Sequence, residues 1–351
     1  MDIVKAEVLW TRKCPLRCGY CGMPSNLKRA PVDLMCEGVD RLVDMGCKLL
    51  VIYGASPFYD PEDLDVYIRH ATNRGLYTTV IVDGVVVDSD EIFDRLYKEG
   101  LRSLTVSCDL GAEGVDRSVQ MKAWQGLHLL RKVFDRYKDL RDCEICSTVT
   151  RRNIHLYLED LGSLLTPGGE SHVISRWMRK GVWFSFDVVH PDRGQPGSKC
   201  RGGAEAFRFG VEDRDLMLLR GFASLLIQLK ERGYPVHQSE KFLQWVVSNT
   251  EDYVTFRWNC GYEDVFPSWL TIDADGTVRP CDDFCTPGEE LKVWEIDEGK
   301  IKRWVERQSE GIRSLCPGCS WSTHIDAMFV KRGEVEVDHY VHLQLPDIER
   351  S

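Results

Sequence analysis

Cys14-Pro15-Leu16-Arg17-Cys18-Gly19-Tyr20-Cys21 sets three cysteines in C-x3-C-x2-C spacing, directly after the first short apolar run at 6–9. Three thiolates on one tight loop suit three corners of a cubane iron–sulfur cluster. The fourth corner then has no cysteine and stays open to another ligand, as the open position does at a catalytic zinc. A structural zinc knuckle is the plainer reading, but it needs a fourth protein ligand from elsewhere, because structural zinc sites are normally closed.

Working outward from this loop, apolar runs of strand length recur at 6–9, 49–53, 77–82, 103–107, 144–148 and 182–189. They read as mostly non-alternating, which suits a parallel sheet covered by helices. The intervals carry helical periodicity. Ile92, Phe93, Leu96 and Tyr97 share one face before Gly100. Val115, Val119, Leu127, Leu130, Phe134 and Tyr137 make a longer helix, and Leu218, Phe222, Leu225, Leu226 and Leu229 another, ended by Gly233. Six strands with helices between them predict an α/β fold built from repeated βα units. Beyond about residue 250 the helical periodicity thins. Asp273-Ala274-Asp275-Gly276 is a turn between extended runs at 269–272 and 277–279.

Composition narrows the field. The 351 residues are 43% hydrophobic and 28% charged, which fits a globular chain rather than a disordered one. A net charge of −10 argues against broad attraction to nucleic acid or an anionic membrane. The start has no basic-then-apolar signal, and no apolar run is long enough to span a bilayer, so a cytoplasmic location is expected. Fourteen cysteines in a chain of this length then point to metal rather than to a disulfide scaffold.

With Tyr20 just before its last cysteine, the loop resembles the signature of the radical S-adenosylmethionine (radical SAM) superfamily. The resemblance implies a 4Fe–4S cluster on Cys14, Cys18 and Cys21, with SAM chelating the fourth iron through its amino and carboxylate groups. One-electron reduction then cleaves SAM to methionine and a 5′-deoxyadenosyl radical that abstracts hydrogen from a substrate carbon. It also implies a partial (β/α)6 barrel over residues 1–235. The second strand of such proteins ends in a Gly-Gly-Glu-Pro-like turn that meets the SAM amino group; here Gly54-Ala55-Ser56-Pro57 stands there, with Ser56 where an acid is common. Ser107 and Asp109, in Leu104-Thr105-Val106-Ser107-Cys108-Asp109, resemble the segment that meets the SAM ribose, with Thr148 and Asn153 as weaker counterparts. Tyr20 is expected near the adenine.

Cys260, Cys281 and the pair Cys316-Pro317-Gly318-Cys319 make a second group. Two separated cysteines plus a C-x2-C pair form a closed four-thiolate set, and spacing alone permits zinc or iron–sulfur. The C-x15-G-x4-C element around Gly276 resembles the auxiliary-cluster module called SPASM, or its shortened form, twitch. No cysteine follows Cys319, so the resemblance implies one auxiliary 4Fe–4S cluster over residues 250–330, leaving 331–351 as a tail or edge strand. Cys285 is an alternative ligand. Cys200, in the Gly/Pro-rich stretch 194–203, belongs to a lid or an incidental surface loop. Cys36, Cys47, Cys108, Cys143 and Cys146 read as plain buried residues.

Asp187, His190 and Arg193 follow the sixth strand, and Arg151 and Arg152 the fifth. Asp187, His190 and Arg151 are the candidates for substrate binding or proton transfer, weighed against roles as surface ion pairs or structural side chains. Asp282 and Asp283 flank a cluster ligand. The implied reaction is a net oxidation, dehydrogenation or cross-link, of a small molecule or peptide, with the auxiliary cluster as electron acceptor and a flavodoxin or ferredoxin as reductant. Few residues precede the first strand, which tilts the expectation toward a small molecule or a partner-delivered peptide. A redox-neutral isomerase or epimerase with a structural auxiliary cluster is the alternative within the class. A non-catalytic iron–sulfur or zinc protein is the alternative outside it.

Overall fold

The structure, a computed structural model, describes residues 3–21, 27–111, 117–137, 140, 142–169, 172–190, 204–257, 269–281, 284–286, 288–316, 318 and 322–335. Its strands are β1 (Lys5–Thr11), β2 (Leu49–Gly54), β3 (Tyr77–Val82), β4 (Ser103–Ser107), β5 (Asp142–Val149), β6 (Trp183–Val188), β7 (Trp269–Ile272) and β8 (Val278–Arg279). They form one sheet in the order β6-β5-β4-β3-β2-β1-β7-β8. All neighbours from β6 across to β7 are parallel, and only β7 and β8 are antiparallel. The six expected strands are all present and open on one side, as in a partial barrel.

The strands alternate, contrary to the sequence reading. On β4, Leu104 and Val106 are fully buried on the helix-covered face, while Ser103, Thr105 and Ser107 line an internal cavity. On β6, Phe184 and Phe186 are likewise buried on one face, and Ser185 and Asp187 line the cavity on the other. A sheet packed on both faces needs apolar residues throughout, whereas this one packs a core on one face only.

Helices α1 (Val32–Asp44), α2 (Leu64–Asn73), α3 (Ser89–Lys98), α4 (Arg117–Arg136), α5 (Ile154–Gly162), α6 (Ile174–Met178) and α7 (Asp213–Glu231) connect successive strands. Two more, α8 (Glu240–Ser248) and α9 (Thr250–Thr255), follow. None of the helices among the described residues is long and apolar enough to cross a membrane.

The sequence reading also missed two helices past residue 250, α10 (Glu298–Leu315) and α11 (Ser322–Lys331). The buried stripe of α10 is Ile301, Trp304, Gln308, Gly311 and Ile312, so a polar residue and a glycine interrupt its apolar period. Gly311 is required by close packing: a Cβ there would lie 2.0 Å from Thr286 Oγ1. Asp297 caps the helix, its side chain accepting from Lys300 N at 2.7 Å.

The predicted hairpin at 269–279 is present, and β7 joins the barrel sheet directly, Lys5 opposite Trp269 and Val8 opposite Ile272. A buried ion cluster fastens the junction. Asp273 accepts from Arg12 Nε at 2.9 Å and pairs with the Arg12 Nη2 and, at 3.1 Å, with Arg279 Nε. Arg12 and Asp273 are 4% and 2% exposed. Removing one partner leaves the other buried and uncompensated, so Asp273→Ala should cost about 3–5 kcal/mol in chemical unfolding. A loss below about 1 kcal/mol, the range of exposed pairs, would show that the cluster does not hold the junction.

Candidate functional site

The strands end around a cavity of about 510 Å3. Cys14, Cys18, Tyr20 and Cys21 line it from the loop after β1, Gly54 and Ala55 from the end of β2, Ser107 from β4, and Thr148 from β5. A turn in which Cys21 N donates to Cys18 O at 3.0 Å folds the loop back on itself, and Leu16 N donates to Cys14 Sγ at 3.4 Å. Burial pushes the Cys14 thiol up to about 12 and the Cys18 thiol up to about 11. Thiolates at these positions therefore call for a compensating cation. Among the described residues no group of three His, Cys, Asp or Glu side chains closes on a single ion. A cubane binds each thiolate at a separate iron and does not need that closure. The donor set, three soft thiols on one loop facing a cavity, fits such a cluster.

The loop is held by a carboxylate. Asp109 is fully buried; its Oδ2 accepts from Tyr20 OH and from Lys122 Nζ at 2.7 Å, and its Oδ1 from Thr148 N at 2.6 Å. Despite the burial of its ammonium, the Lys122 pKa is pushed up by Asp109. Asp109 was expected at the ribose, but its oxygens face three internal donors and it is absent from the cavity wall, where Ser107 stands. Asn153 is also engaged internally. Its Nδ2 donates to Leu110 O at 3.0 Å and its Oδ1 accepts from Thr150 N at 2.7 Å, joining the loops after β4 and β5. Ser56 is buried and does not line the cavity either.

Asp187 and His190 do line the cavity mouth. Asp187 Oδ1 accepts from Ser322 Oγ at 2.9 Å and from Ser322 N at 3.2 Å, which docks α11 on the end of β6. Arg151 stands apart from them, in a surface depression with Arg152 and Arg214, and pairs with Asp215 Oδ2 at 3.3 Å. Arg193, Cys200, Asp282 and Asp283 lie outside the described residues.

Sequence reading missed the deeper part of the cavity. Lys5 Nζ lies 3.0 Å from Glu7 Oε1 and 3.8 Å from the Trp269 ring centroid. His237 Nδ1 lies 3.4 Å from Glu144 Oε1, and Thr105 Oγ1 donates to Glu144 Oε2 at 3.4 Å. Against the cost of burial, His237 and Ser185 hold the Glu144 carboxyl below its ordinary range. Cys146, read as plain core, is on this wall too. Strand alternation was the available signal, since Glu144, Cys146 and Thr148 share one face of β5.

Of the second cysteine group, Cys281 follows the β7–β8 hairpin and Cys316 ends α10; both are half-buried. Cys281 Sγ accepts from Phe284 N at 3.2 Å. Cys260 and Cys319 lie outside the described residues. Cys285 is half-buried, its thiol pushed up by burial, with Arg279 and Gln308 acting against that.

Residues 8–150 match the family model described as the radical SAM superfamily. The chain is 34% identical over 112 residues to a PqqA peptide cyclase of Granulibacter bethesdensis, covering 30% of this chain and 29% of that protein. It is 29% identical over 153 residues to a PqqA peptide cyclase of Rhodopseudomonas palustris, covering 42% and 39%. The matched stretch thus spans well under half of these relatives. In fold, the chain is similar to Streptococcus suis SuiB, with a TM-score of 0.60 at 14% identity over 90% of this chain and 68% of that one. It is also similar to anSMEcpe with bound AdoMet, with a TM-score of 0.58 at 14% identity over 96% and 93%.

Two stability experiments follow from the buried carboxylates. Asp109→Asn and Lys122→Met should each cost about 3–5 kcal/mol, while the double variant costs less than their sum. Strictly additive losses in chemical unfolding would refute the pairing. Burial also pushes the Asp326 carboxyl of α11 up to about 6 from 3.8, although it accepts from Ser239 N at 3.0 Å. A raised carboxyl penalises the fold once ionised. The penalty is absent below pH 3.8, grows as pH rises through 6, and reaches about 3 kcal/mol near neutrality. Asp326→Asn should therefore gain on the parent by about that amount between pH 4 and pH 7. A pH-independent difference between the two would contradict this.

Proposed function

The chain carries a radical SAM superfamily domain over residues 8–150, and from that premise we propose that it is a radical SAM enzyme that modifies a peptide by oxidative cross-linking. The observation that carries the reading is the placement of Cys14, Cys18 and Cys21 together at the mouth of the cavity. A 4Fe–4S cluster and SAM, when bound, supply one-electron cleavage of SAM and hydrogen abstraction from a substrate carbon.

The protein's own residues do the positioning. Cys14, Cys18 and Cys21 would hold the cluster, and Tyr20, fixed by Asp109, sets the loop across the mouth. Gly54, Ala55 and Ser107 line the wall on which SAM would lie. Below them the Lys5–Glu7 ion pair and the Glu144–His237 carboxylate–imidazole pair face a polar substrate group. The Glu144–His237 pair suits proton acceptance, because a carboxylate on Nδ1 leaves Nε2 as the basic nitrogen.

The peptide substrate is supported by the names of the sequence relatives, and replaces the small molecule in our reading. Cys260, Cys281, Cys316 and Cys319, in a unit over residues 250–330 beside a barrel over 1–235, would hold an auxiliary 4Fe–4S cluster as electron acceptor for the net oxidation. What supports this is that Ser322, close after Cys319 in sequence, is bonded to Asp187 at the mouth. A flavodoxin or ferredoxin in the cytoplasm is the reductant of this scheme.

Anaerobically purified protein should contain about eight irons and, with dithionite and SAM, form 5′-deoxyadenosine. Replacing Cys14, Cys18 and Cys21 together by Ala should abolish cleavage and leave about four irons. Four irons with bound zinc in the parent would dismiss the auxiliary cluster, and no 5′-deoxyadenosine from the reduced, fully loaded parent would dismiss the enzyme.

A further inference from the structure

Ser56 stands where the resemblance puts an acid, yet its hydroxyl is buried, off the cavity wall and without a hydrogen-bond partner among the described residues. The next strand end supplies a carboxylate instead. Asp83 directly follows β3, is 5% exposed, and lines the cavity with Cys14, Gly54 and Ala55. Its Oδ1 accepts from Val85 N at 3.1 Å. Its Oδ2 is buried and accepts from no donor among the described residues. Such an oxygen is costly to bury and calls for a ligand that completes it. Burial pushes the Asp83 carboxyl above its ordinary range, and Ser56, close but short of hydrogen-bond geometry, acts against that together with the Val85 backbone. Lys122 favours the ionised carboxylate through space, but its ammonium is bonded to Asp109.

The carboxylate is also rigidly held. Gly84 has φ of +68°, and a Cβ there would lie 2.7 Å from the Gly126 Cα of α4. A Cβ on Gly126 would in turn lie 2.6 Å from Val106 Cγ1. The turn after β3 therefore sits backbone-on-backbone against α4, which fixes Asp83 on the scaffold.

We propose that Asp83 Oδ2 binds the α-amino group of SAM, so that a carboxylate from β3 replaces the acid missing from the Gly54-Ala55-Ser56-Pro57 turn. This rests on the radical SAM reading above. A buried carboxylate accepting from an amine makes a strong, charge-assisted bond.

The test is equilibrium binding to the anaerobic, cluster-loaded protein of two probes, SAM and an analogue that lacks the amino group. The electron paramagnetic resonance signal of the reduced cluster is followed in parallel. Asp83→Asn should bind SAM about 10- to 100-fold more weakly, shifting the SAM-induced change in that signal to higher concentration. The analogue should bind the parent and Asp83→Asn alike. Iron content should be unchanged, and the unfolding midpoint should equal or exceed the parent's. Asp83→Glu, which keeps the charge, should recover part of the preference for SAM and serves if Asp83→Asn does not fold. Equal weakening of both probes, or unchanged SAM binding, overturns the proposal. A cluster-loaded parent that binds no SAM overturns the enzyme reading and this proposal with it.

Discussion

A single buried carboxylate sets the geometry of the mouth. Asp109 alone at zero exposure would be prohibitive, because an unpaired charge in a protein interior is stabilised by neither water nor partner. Three donors compensate it, and they come from distant places: the cysteine loop through Tyr20, α4 through Lys122, and β5 through the Thr148 backbone. The same bonds that make the charge tolerable also lock these three elements to the end of β4. Arg12 and Asp273 do the same at the start of the loop. Among the described residues the loop itself packs mainly through Tyr20 against Phe207 and Val189, so these two buried anchors do most to set its position.

The sheet divides stability from function between its faces. The face toward the helices carries the large core, including Trp10, Phe184 and Phe186. The face toward the cavity mixes smaller apolar groups, among them Leu49 and Val51 with Tyr77 and Ile81, with polar and charged side chains. Every inward Ser, Thr or Glu is apolar burial foregone, at about 25 cal/mol per Å2. The fold tolerates this because the other face is packed without interruption, and the inner face is left to recognise polar groups.

What could be read from the chain follows from range. The cysteine loop, the six strands and the hairpin are local patterns, so their residues announce them. The inner polar face was visible in Ser103-Leu104-Thr105-Val106-Ser107, but short runs rich in Val and Ile also read as fully buried strands. The α10 stripe was hidden by Gln308 and Gly311, whose burial is decided by Glu289, whose backbone carbonyl Gln308 approaches, and by Thr286. The roles of Asp109 and Asp83 were less legible still. A motif places Asp109 near a ligand, whereas two of its three partners lie 89 and 39 residues away along the chain. Asp83 sits on no motif, and only the fold brings it beside Ser56 and Cys14.

The C-terminal part of the chain has a structural task that follows from the open barrel. A six-stranded parallel sheet that does not close leaves two edges, each with unpaired backbone groups. At one edge β7 pairs with β1 along Lys5–Val8. At the other, Phe184 N and Phe184 O bond to Pro235 O and His237 N, and Gln238 donates to Phe186 O at 2.8 Å. Ser322 of α11 then bonds Asp187 on that same strand, while Asp326 of α11 receives Ser239 at the start of α8. The segment from 269 to 331 therefore begins on one edge and ends on the other. Removing it would expose the β1 edge and free the end of β6, so this segment and the barrel are predisposed to fold as one cooperative body rather than as a barrel with an appendage.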